Sequence, residues 1–126
     1  MRSLLLIAHG SRRAEANADL EHVAEQMRRR CGYGHVQCSY LELCEPNIRD
    51  GGVKCVEAGA VEVVMLPYFL SPGVHVREDL TDAQDSLRTE YPHVSFLLAE
   101  PFGRHPLLID LVEQRANEVL VAAQKN

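Results

Sequence analysis

The stretch VEVVMLPYFLSPGVHVREDL at residues 61–80 organises the rest of the chain. Its apolar run, rich in β-branched residues, stops at Pro67, and a Pro-Gly turn separates it from apolar residues that resume with helical spacing at Val76. The pattern predicts a strand, a long loop carrying His75, and a helix. Most such connections have only about 2 to 6 residues, so His75 is the first candidate functional residue.

The same alternation of strand and helix extends through the whole sequence. Strands are predicted at residues 3–8, 35–43, 61–66 and 94–99, and helices at 12–30, 46–59, 76–91 and from 107 nearly to the end. Strands that alternate with helices imply a parallel sheet with right-handed crossovers. The predicted fold is therefore α/β, a doubly wound, flavodoxin-like, four-stranded parallel sheet with helices on both faces, forming one domain over residues 1–126.

Several local signals refine the predicted helices. Ser11 is a candidate N-cap for the first helix, and Pro46 fits the first turn of the second. Gly51 and Gly52 each weaken that helix by about 1 kcal/mol relative to Ala, either as tolerated weakness or because another backbone or a flat ligand approaches closely. The last helix carries one apolar stripe: Leu107, Leu108, Leu111, Val112, Ala116, Val119 and Leu120.

Composition excludes several classes of protein. No apolar run approaches the roughly 20 residues of a membrane span, and the net charge of -5 argues against nonspecific binding to nucleic acid. The opening LLLIAHG lacks the features of a secretion signal, so a cytoplasmic location is expected. Four cysteines without a C-x-x-C pair are expected to be reduced, partly buried thiols: Cys31, Cys38, Cys44 and Cys55.

Three side chains that can ligate a metal are predicted at one edge of the sheet. His9 follows the first strand, Glu42 stands at the end of the second, and His75 follows the third. In an open parallel sheet, ligands bind beyond the carboxyl ends of the strands. Any one of the three could simply cap a helix or satisfy a loop, but two imidazoles and a carboxylate together suit a divalent transition metal with open coordination positions.

Three segments resemble the class II chelatases of tetrapyrrole biosynthesis, specifically the small sirohydrochlorin cobaltochelatase and ferrochelatase (CbiX/SirB-type) family. They are LIAHGSR at 6–12, YLEL at 40–43 and LPYFLSPGVHVREDL at 66–80. The resemblance implies that His9 and His75 are catalytic, metal-binding histidines and that Glu42 is the accompanying carboxylate. It also implies a homodimer, because the chain corresponds to one half of the longer members.

The reaction implied by the resemblance is insertion of a divalent metal into sirohydrochlorin, on the route to cobalamin or siroheme. Co²⁺ is the first choice and Fe²⁺ or Ni²⁺ the others, each as a substrate, with no tightly bound cofactor expected. The macrocycle is polycarboxylated and needs local donors. Candidates are the backbone N–H groups of Gly10 and Ser11 and the side chains of Arg12, Arg13, Arg49 and Arg77. Tyr68, Phe69 and Leu70 could form an apolar wall for the macrocycle, part of the core, or a dimer interface.

Two alternatives use the same residues differently. Histidine phosphatases also place a histidine at a strand end, but they need an arginine before it to clamp phosphate, and here that position is Ala8. A noncatalytic metal carrier could use His9, Glu42 and His75 without inserting the metal. The ending VAAQKN has none of the histidines or cysteines that would favour a carrier.

Overall fold

The structure is a computed structural model that describes residues 1–30 and 32–125. Within them strands and helices alternate as predicted: β1 Arg2–Ala8, α1 Ala14–Arg28, β2 His35–Tyr40, α2 Ile48–Glu57, β3 Glu62–Pro67, α3 Val74–Glu90, β4 Ser95–Leu98 and α4 Pro106–Gln124. The strands form a parallel sheet in the order β2-β1-β3-β4. No described helix has both the length and the apolar character needed to cross a membrane.

The central strand β1 explains why the sheet is covered on both faces. Its side chains alternate between two buried clusters, Leu4 and Leu6 on one face and Leu5 and Ile7 on the other. Helix α1 covers the first face, whereas α2 and α3 share the second. The doubly wound α/β architecture predicted from the sequence is therefore confirmed.

The two adjacent glycines of α2 are required by packing. A Cβ atom at Gly51 would lie 2.9 Å from side-chain atoms of both Leu5 and Ser39, and one at Gly52 would lie 2.6 Å from Leu87. These distances are shorter than ordinary van der Waals contact, so a larger residue at either position would make neighbouring side chains shift, and the two glycines let α2 lie close to the sheet and α3. The close approach comes from side chains of the core, rather than from another backbone or a ligand.

Two of the cysteines lie in the core. Cys38 is buried under α1 and Cys55 under the other face of the sheet. Burial raises the pKa of Cys38 to about 12 and that of Cys55 to about 11. Cys44 is half-buried, and all three are free thiols, as predicted. Cys31, the fourth, lies outside the described residues.

Helix and strand ends differ from the sequence prediction at several points. Helix α1 begins at Ala14 with Arg13 in the N-cap position, and the predicted N-cap, Ser11, instead accepts a hydrogen bond from the Arg13 N–H at its Oγ. Asn47 caps α2 by accepting from the Asp50 N–H, so Pro46 precedes the helix. At α2 the start is marked by the Asn47 side-chain bond, which hydrophobic periodicity does not report, whereas the Arg13 N-cap of α1 makes no side-chain capping bond.

The loop after β3 is shorter than predicted. Pro67 belongs to the strand, where its missing N–H has no consequence because the neighbouring Ile7 carbonyl accepts from the Tyr68 N–H. Helix α3 begins at Val74, with Gly73 as its N-cap. His75 is therefore in the first helical turn and not in the loop, which spans residues 68–73 and has an ordinary length.

Helix α4 forms as predicted but buries none of its residues. The sheet shows a matching gap on the α1 side. Across the register Leu4, Val64 and Leu97, exposure rises from 1% for Leu4 through a half-buried Val64 to 46% for Leu97. The α1 side of β3 and β4, with Val64, Leu66 and Leu97, is called here the uncovered half-face.

Candidate metal and substrate site

The three predicted metal ligands follow three strands whose carboxyl ends share one edge of the sheet, called here the carboxyl edge. Parallel pairing of β1 with both β2 and β3 puts Ala8, Tyr40 and Pro67 at this edge. His9 comes directly after β1 and Glu42 two residues after β2. His75 enters at the second residue of α3.

Backbone pairing joins His9 to Glu42. After the strands end, the Leu41 N–H donates to the Ala8 carbonyl at 2.9 Å and the Glu42 N–H donates to the His9 carbonyl at 3.1 Å. Gly10 lies against the same loop, with φ at 94°. A Cβ atom there would lie 1.8 Å from the Glu42 carbonyl oxygen. Only glycine fits, and the close approach fixes the backbones of His9 and Glu42 side by side.

The next residue of the β2 loop is in an unusual conformation. Leu43 has φ at 62°, which L-residues with bulky side chains rarely adopt, and its side chain is 52% exposed. An exposed leucine in the left-handed region is strained, and such strain is held only where neighbouring contacts fix the backbone. Here the pairing of Glu42 with His9 supplies that constraint and leaves an apolar side chain at the carboxyl edge.

A third loop sets the position of the His9 ring. The imidazole packs against Phe69 with ring centroids 4.4 Å apart and planes tilted by 50°. Phe69 is 5% exposed and belongs to the core, whereas Leu70 is 63% exposed. Tyr68 packs edge-on to Phe102, with centroids 5.2 Å apart. The predicted trio is therefore divided: Phe69 supports His9 from the core, and its two neighbours face outward.

His75 stands apart from the other two candidate ligands. Its side chain is 98% exposed, and its nearest ionic neighbour is Glu78 on the next turn, with Nδ1 and Oε2 4.0 Å apart. Within residues 1–30 and 32–125, no three His, Cys, Asp or Glu side chains are close enough together to hold a metal ion. The assembly of His9, Glu42 and His75 around one metal stays a prediction.

The loop between His9 and α1 is held by a residue that the sequence reasoning did not identify. The side-chain amide of Asn17 donates to the Ser11 carbonyl at 2.7 Å, and its oxygen accepts from the Ser11 N–H at 3.0 Å. The Ser11 N–H, predicted to be a donor for substrate, is therefore already in use. Asparagine is a poor residue inside a helix, and that was the one available signal.

The candidate arginines have different surroundings. Arg49 forms a two-pronged ion pair with Glu90 of α3, its Nη2 lying 2.7 and 2.6 Å from the two carboxylate oxygens. This pairing raises the pKa of the Arg49 guanidinium and engages it between α2 and α3. Arg77 lines a small cavity of about 100 Å³ between the start of α3 and the loop after β4. Arg12 and Arg13 are exposed in the loop that follows His9.

Sequence comparison places this architecture among known proteins. The family model CbiX matches residues 3–119. The sirohydrochlorin ferrochelatase of Arabidopsis thaliana chloroplasts is 37% identical over 117 residues, which cover 93% of this chain and 52% of that protein. A sirohydrochlorin cobaltochelatase of Sulfolobus acidocaldarius is 28% identical, with 95% of this chain and 94% of that protein covered. The chain spans about half the length, or less, of the first curated relatives it matches.

Solved structures agree on the fold. A cobalamin (vitamin B12) biosynthesis CbiX protein from Marinobacter aquaeolei VT8 superimposes with a TM-score of 0.81 at 28% identity, covering 97% of this chain and 99% of that one. The sirohydrochlorin chelatase of Bacillus subtilis subspecies spizizenii, solved with cobalt, gives 0.84 at 24% identity over 94% of this chain and 50% of its own, a likeness of fold alone. With the family model covering nearly the whole sequence, the chain belongs to the CbiX family.

Proposed function

We propose that this protein is a sirohydrochlorin chelatase that inserts a divalent metal, Co²⁺ first and Fe²⁺ or Ni²⁺ as alternatives, into the macrocycle. The observation that carries the proposal is the carboxyl edge itself, where the backbones of His9 and Glu42, which follow different strands, are joined by the hydrogen bond from the Glu42 N–H to the His9 carbonyl. Relatives across the family bear the names cobaltochelatase and ferrochelatase. Their product would serve cobalamin or siroheme biosynthesis.

The proposed chemistry follows from the ligand types. The metal ion replaces two pyrrole protons of the macrocycle, so the site must bind the ion loosely and also accept protons. Neutral imidazoles do both near neutral pH, and a carboxylate adds charge that attracts the ion. A closed four-ligand cage would hold the metal too firmly to release it. The exposure of His9 and His75 fits an open site that delivers its metal.

We further propose that residues 1–126 act as one half of a chelatase and that two copies form a homodimer around the substrate. Exposed apolar side chains stand at the carboxyl edge of one copy. They are Leu43, Tyr68, Leu70 and Val74. Most of the area of a flat macrocycle belongs to its two opposite faces. A second copy would therefore cover the face that the first copy leaves exposed.

The substrate carboxylates are assigned to the donors that remain. Arg12 and Arg77 are the proposed cationic contacts, and the Gly10 backbone at the carboxyl edge is the proposed N–H contact. The pairing of Arg49 with Glu90 makes its part in binding secondary. The proposal also includes a cytoplasmic location. It includes no tightly bound cofactor, because the metal is a substrate.

The test is the rate of metal insertion, followed by the visible absorption of the macrocycle under anaerobic conditions with Co²⁺, Fe²⁺ and Ni²⁺ in parallel. The protein is expected to accelerate insertion of at least one metal. His9→Ala and His75→Ala are each expected to lower the initial rate at least tenfold with an unchanged circular dichroism spectrum. His93→Ala is the matched control, because His93 is also exposed but precedes β4 at the opposite edge.

Two results would overturn the proposal, and a third would change its residues. Equal rates with and without protein for all three metals would remove the enzymatic function. Stoichiometric binding of Co²⁺, lost in His9→Ala but without faster insertion, would instead identify a metal carrier. Full activity in either histidine variant would remove that residue from the mechanism.

A further inference from the structure

Leu43 combines two properties that rarely occur together in one residue. Its backbone has φ at 62°, in the left-handed region, and its side chain is 52% exposed. The left-handed conformation brings the Cβ atom of an L-residue close to the following carbonyl oxygen, a contact that glycine lacks and asparagine tolerates. An exposed leucine also leaves apolar surface in water. Glycine or asparagine would therefore be less costly at this position in the free protein.

Elsewhere the chain uses glycine for such backbone conformations. Gly32 and Gly59 have φ at 116° and 103°, and they lie in the turns that precede β2 and β3. Within the part of the chain that the structure describes, Leu43 and Arg104 are the two residues other than glycine with positive φ. Both lie in connections that leave the carboxyl ends of strands, β2 and β4. Strained backbone conformations cluster at ligand sites, because the surrounding structure holds them there.

The backbone is fixed on both sides of Leu43. Before it, the Glu42 N–H donates to the His9 carbonyl at 3.1 Å. After it, the loop returns to the end of β2, where the Tyr40 N–H donates to the Pro46 carbonyl at 2.9 Å. The left-handed conformation at residue 43 is therefore a fixed feature of a closed loop.

Leu43 directly follows Glu42, a proposed metal ligand. Consecutive Cα atoms are only about 3.8 Å apart, so a ring of four pyrroles that takes a metal at Glu42 also reaches residue 43. The faces of such a ring are conjugated and apolar, whereas its carboxylates lie at its periphery. Arginine suits the carboxylates, and an exposed leucine suits a face.

We propose that Leu43 is a substrate-binding residue whose side chain packs against a face of the tetrapyrrole. The inference rests on the proposed function and adds to it the residue that recognises the face of the macrocycle. The strained backbone is retained because it keeps an apolar side chain out of the core beside Glu42. Binding of the macrocycle covers that side chain and removes its apolar surface from water.

The experiment separates the backbone conformation from the side chain by three substitutions at one position. Leu43→Gly and Leu43→Ala both remove the side chain, but only the change to glycine relieves the left-handed strain. Leu43→Met keeps an apolar side chain of similar volume. Urea denaturation measures the free energy of unfolding of each variant. The absorption change of metal-free sirohydrochlorin, titrated without added metal, measures its dissociation constant.

Stability is expected to follow the backbone, and binding is expected to follow the side chain. Leu43→Gly is expected to be more stable than Leu43→Ala, the reverse of the usual order for these two residues. Both are expected to raise the dissociation constant of sirohydrochlorin by the same factor, about fivefold. Leu43→Met is expected to bind as tightly as the unchanged protein.

Val61→Ala is the matched control for loss of an exposed apolar side chain. Val61 is 58% exposed but precedes β3, at the edge opposite to the carboxyl edge. The control is expected to leave the dissociation constant of sirohydrochlorin unchanged. A rise equal to that of Leu43→Ala would mean that the loss of binding is not specific to residue 43, and would overturn the inference.

Other outcomes would also overturn it. Unchanged binding in Leu43→Gly and Leu43→Ala would remove Leu43 from the substrate site, and a weaker dimer in light scattering would then assign its side chain to a second copy. Tighter binding by Leu43→Gly than by Leu43→Ala would mean that binding follows stability alone.

Metal insertion is a separate readout. A protein that binds sirohydrochlorin through Leu43 without inserting metal would refute the chelatase proposal and leave this inference standing. An active chelatase whose binding is unchanged in both variants would refute this inference alone. No binding of sirohydrochlorin by the unchanged protein would refute both.

Discussion

Helices α1 and α4 have similar hydrophobic patterns, but α1 is covered by the sheet and α4 is exposed. Both follow a strand and carry an apolar stripe. Helix α1 buries Leu20 and Ala24 against β1 and β2, whereas α4 buries no residue and leaves Leu97 of β4 exposed. The difference teaches that periodicity identifies the apolar side of a helix but not the surface that covers it. On the α1 side, the sheet is covered over β1 and β2 but uncovered over β3 and β4.

The largest predicted effect contrasts one leucine from each helix. Leu20→Ala is expected to lower the free energy of unfolding by about 3 kcal/mol, because a buried leucine leaves a cavity. Leu120→Ala removes a side chain that is 60% exposed in one copy. At concentrations where the protein is monomeric, it is expected to change that free energy by less than about 0.5 kcal/mol. Urea denaturation measures the free energy of unfolding of both variants. Equal losses would contradict the difference in burial between Leu20 and Leu120.

A smaller effect is expected from Gly10→Ala, which tests the loop contact between Gly10 and Glu42 at the carboxyl edge. The change introduces a Cβ atom at 1.8 Å from the Glu42 carbonyl oxygen as well as an unfavourable φ. Together these two costs are expected to lower the free energy of unfolding by about 2 to 3 kcal/mol. Gly32→Ala is the control, because Gly32 has φ at 116° and no atom within 4 Å of the new Cβ. Gly32→Ala is expected to lower the free energy of unfolding by about 1 kcal/mol. Equal losses for the two variants in urea denaturation would contradict the tight loop contact at Gly10.

The smallest effect, for any single pH step, concerns the thiol beneath α1. Unfolded Cys38 loses its proton near 9.0, whereas burial raises its folded pKa to about 12. The folded state therefore binds more protons between these values, and the free energy of unfolding is expected to fall as pH rises through this window. Cys38 contributes roughly 1 kcal/mol per pH unit to that slope. Denaturation at pH 8, 9, 10 and 11 is expected to give a shallower slope for Cys38→Ala, and identical slopes would contradict burial by α1.

Much of the fold followed from the sequence because each strand and helix has its own pattern. The unbroken apolar run of β1 predicted a strand covered on both faces, and the alternation with helices predicted the parallel sheet. The placement of His9 and Glu42 at one edge followed from that topology. Their backbone contact did not, because it depends on how closely two loops approach at Gly10.

The features that the sequence did not predict depend on individual contacts that hydrophobic periodicity does not report. The Asn17 amide is bonded to Ser11 outside α1, and Gly73 is the N-cap of α3, so His75 lies in the first turn of that helix. The exposure of α4 was not predicted because its stripe resembles one that packs on its own sheet. The connection through Phe102 and Gly103 is anchored to the loop after β3, but α4 itself buries no residue.

A second copy is proposed to complete the site, and one titration tests this dimer directly. Insertion rate per chain and mass by light scattering are measured on the same samples from nanomolar to micromolar protein, for the protein and for Val119→Lys, which adds a charge to the exposed helix α4. Activity per chain is expected to fall as the dimer dissociates, and both midpoints are expected to move together to higher concentration in the variant. Constant activity per chain while the mass falls to that of a monomer would contradict it.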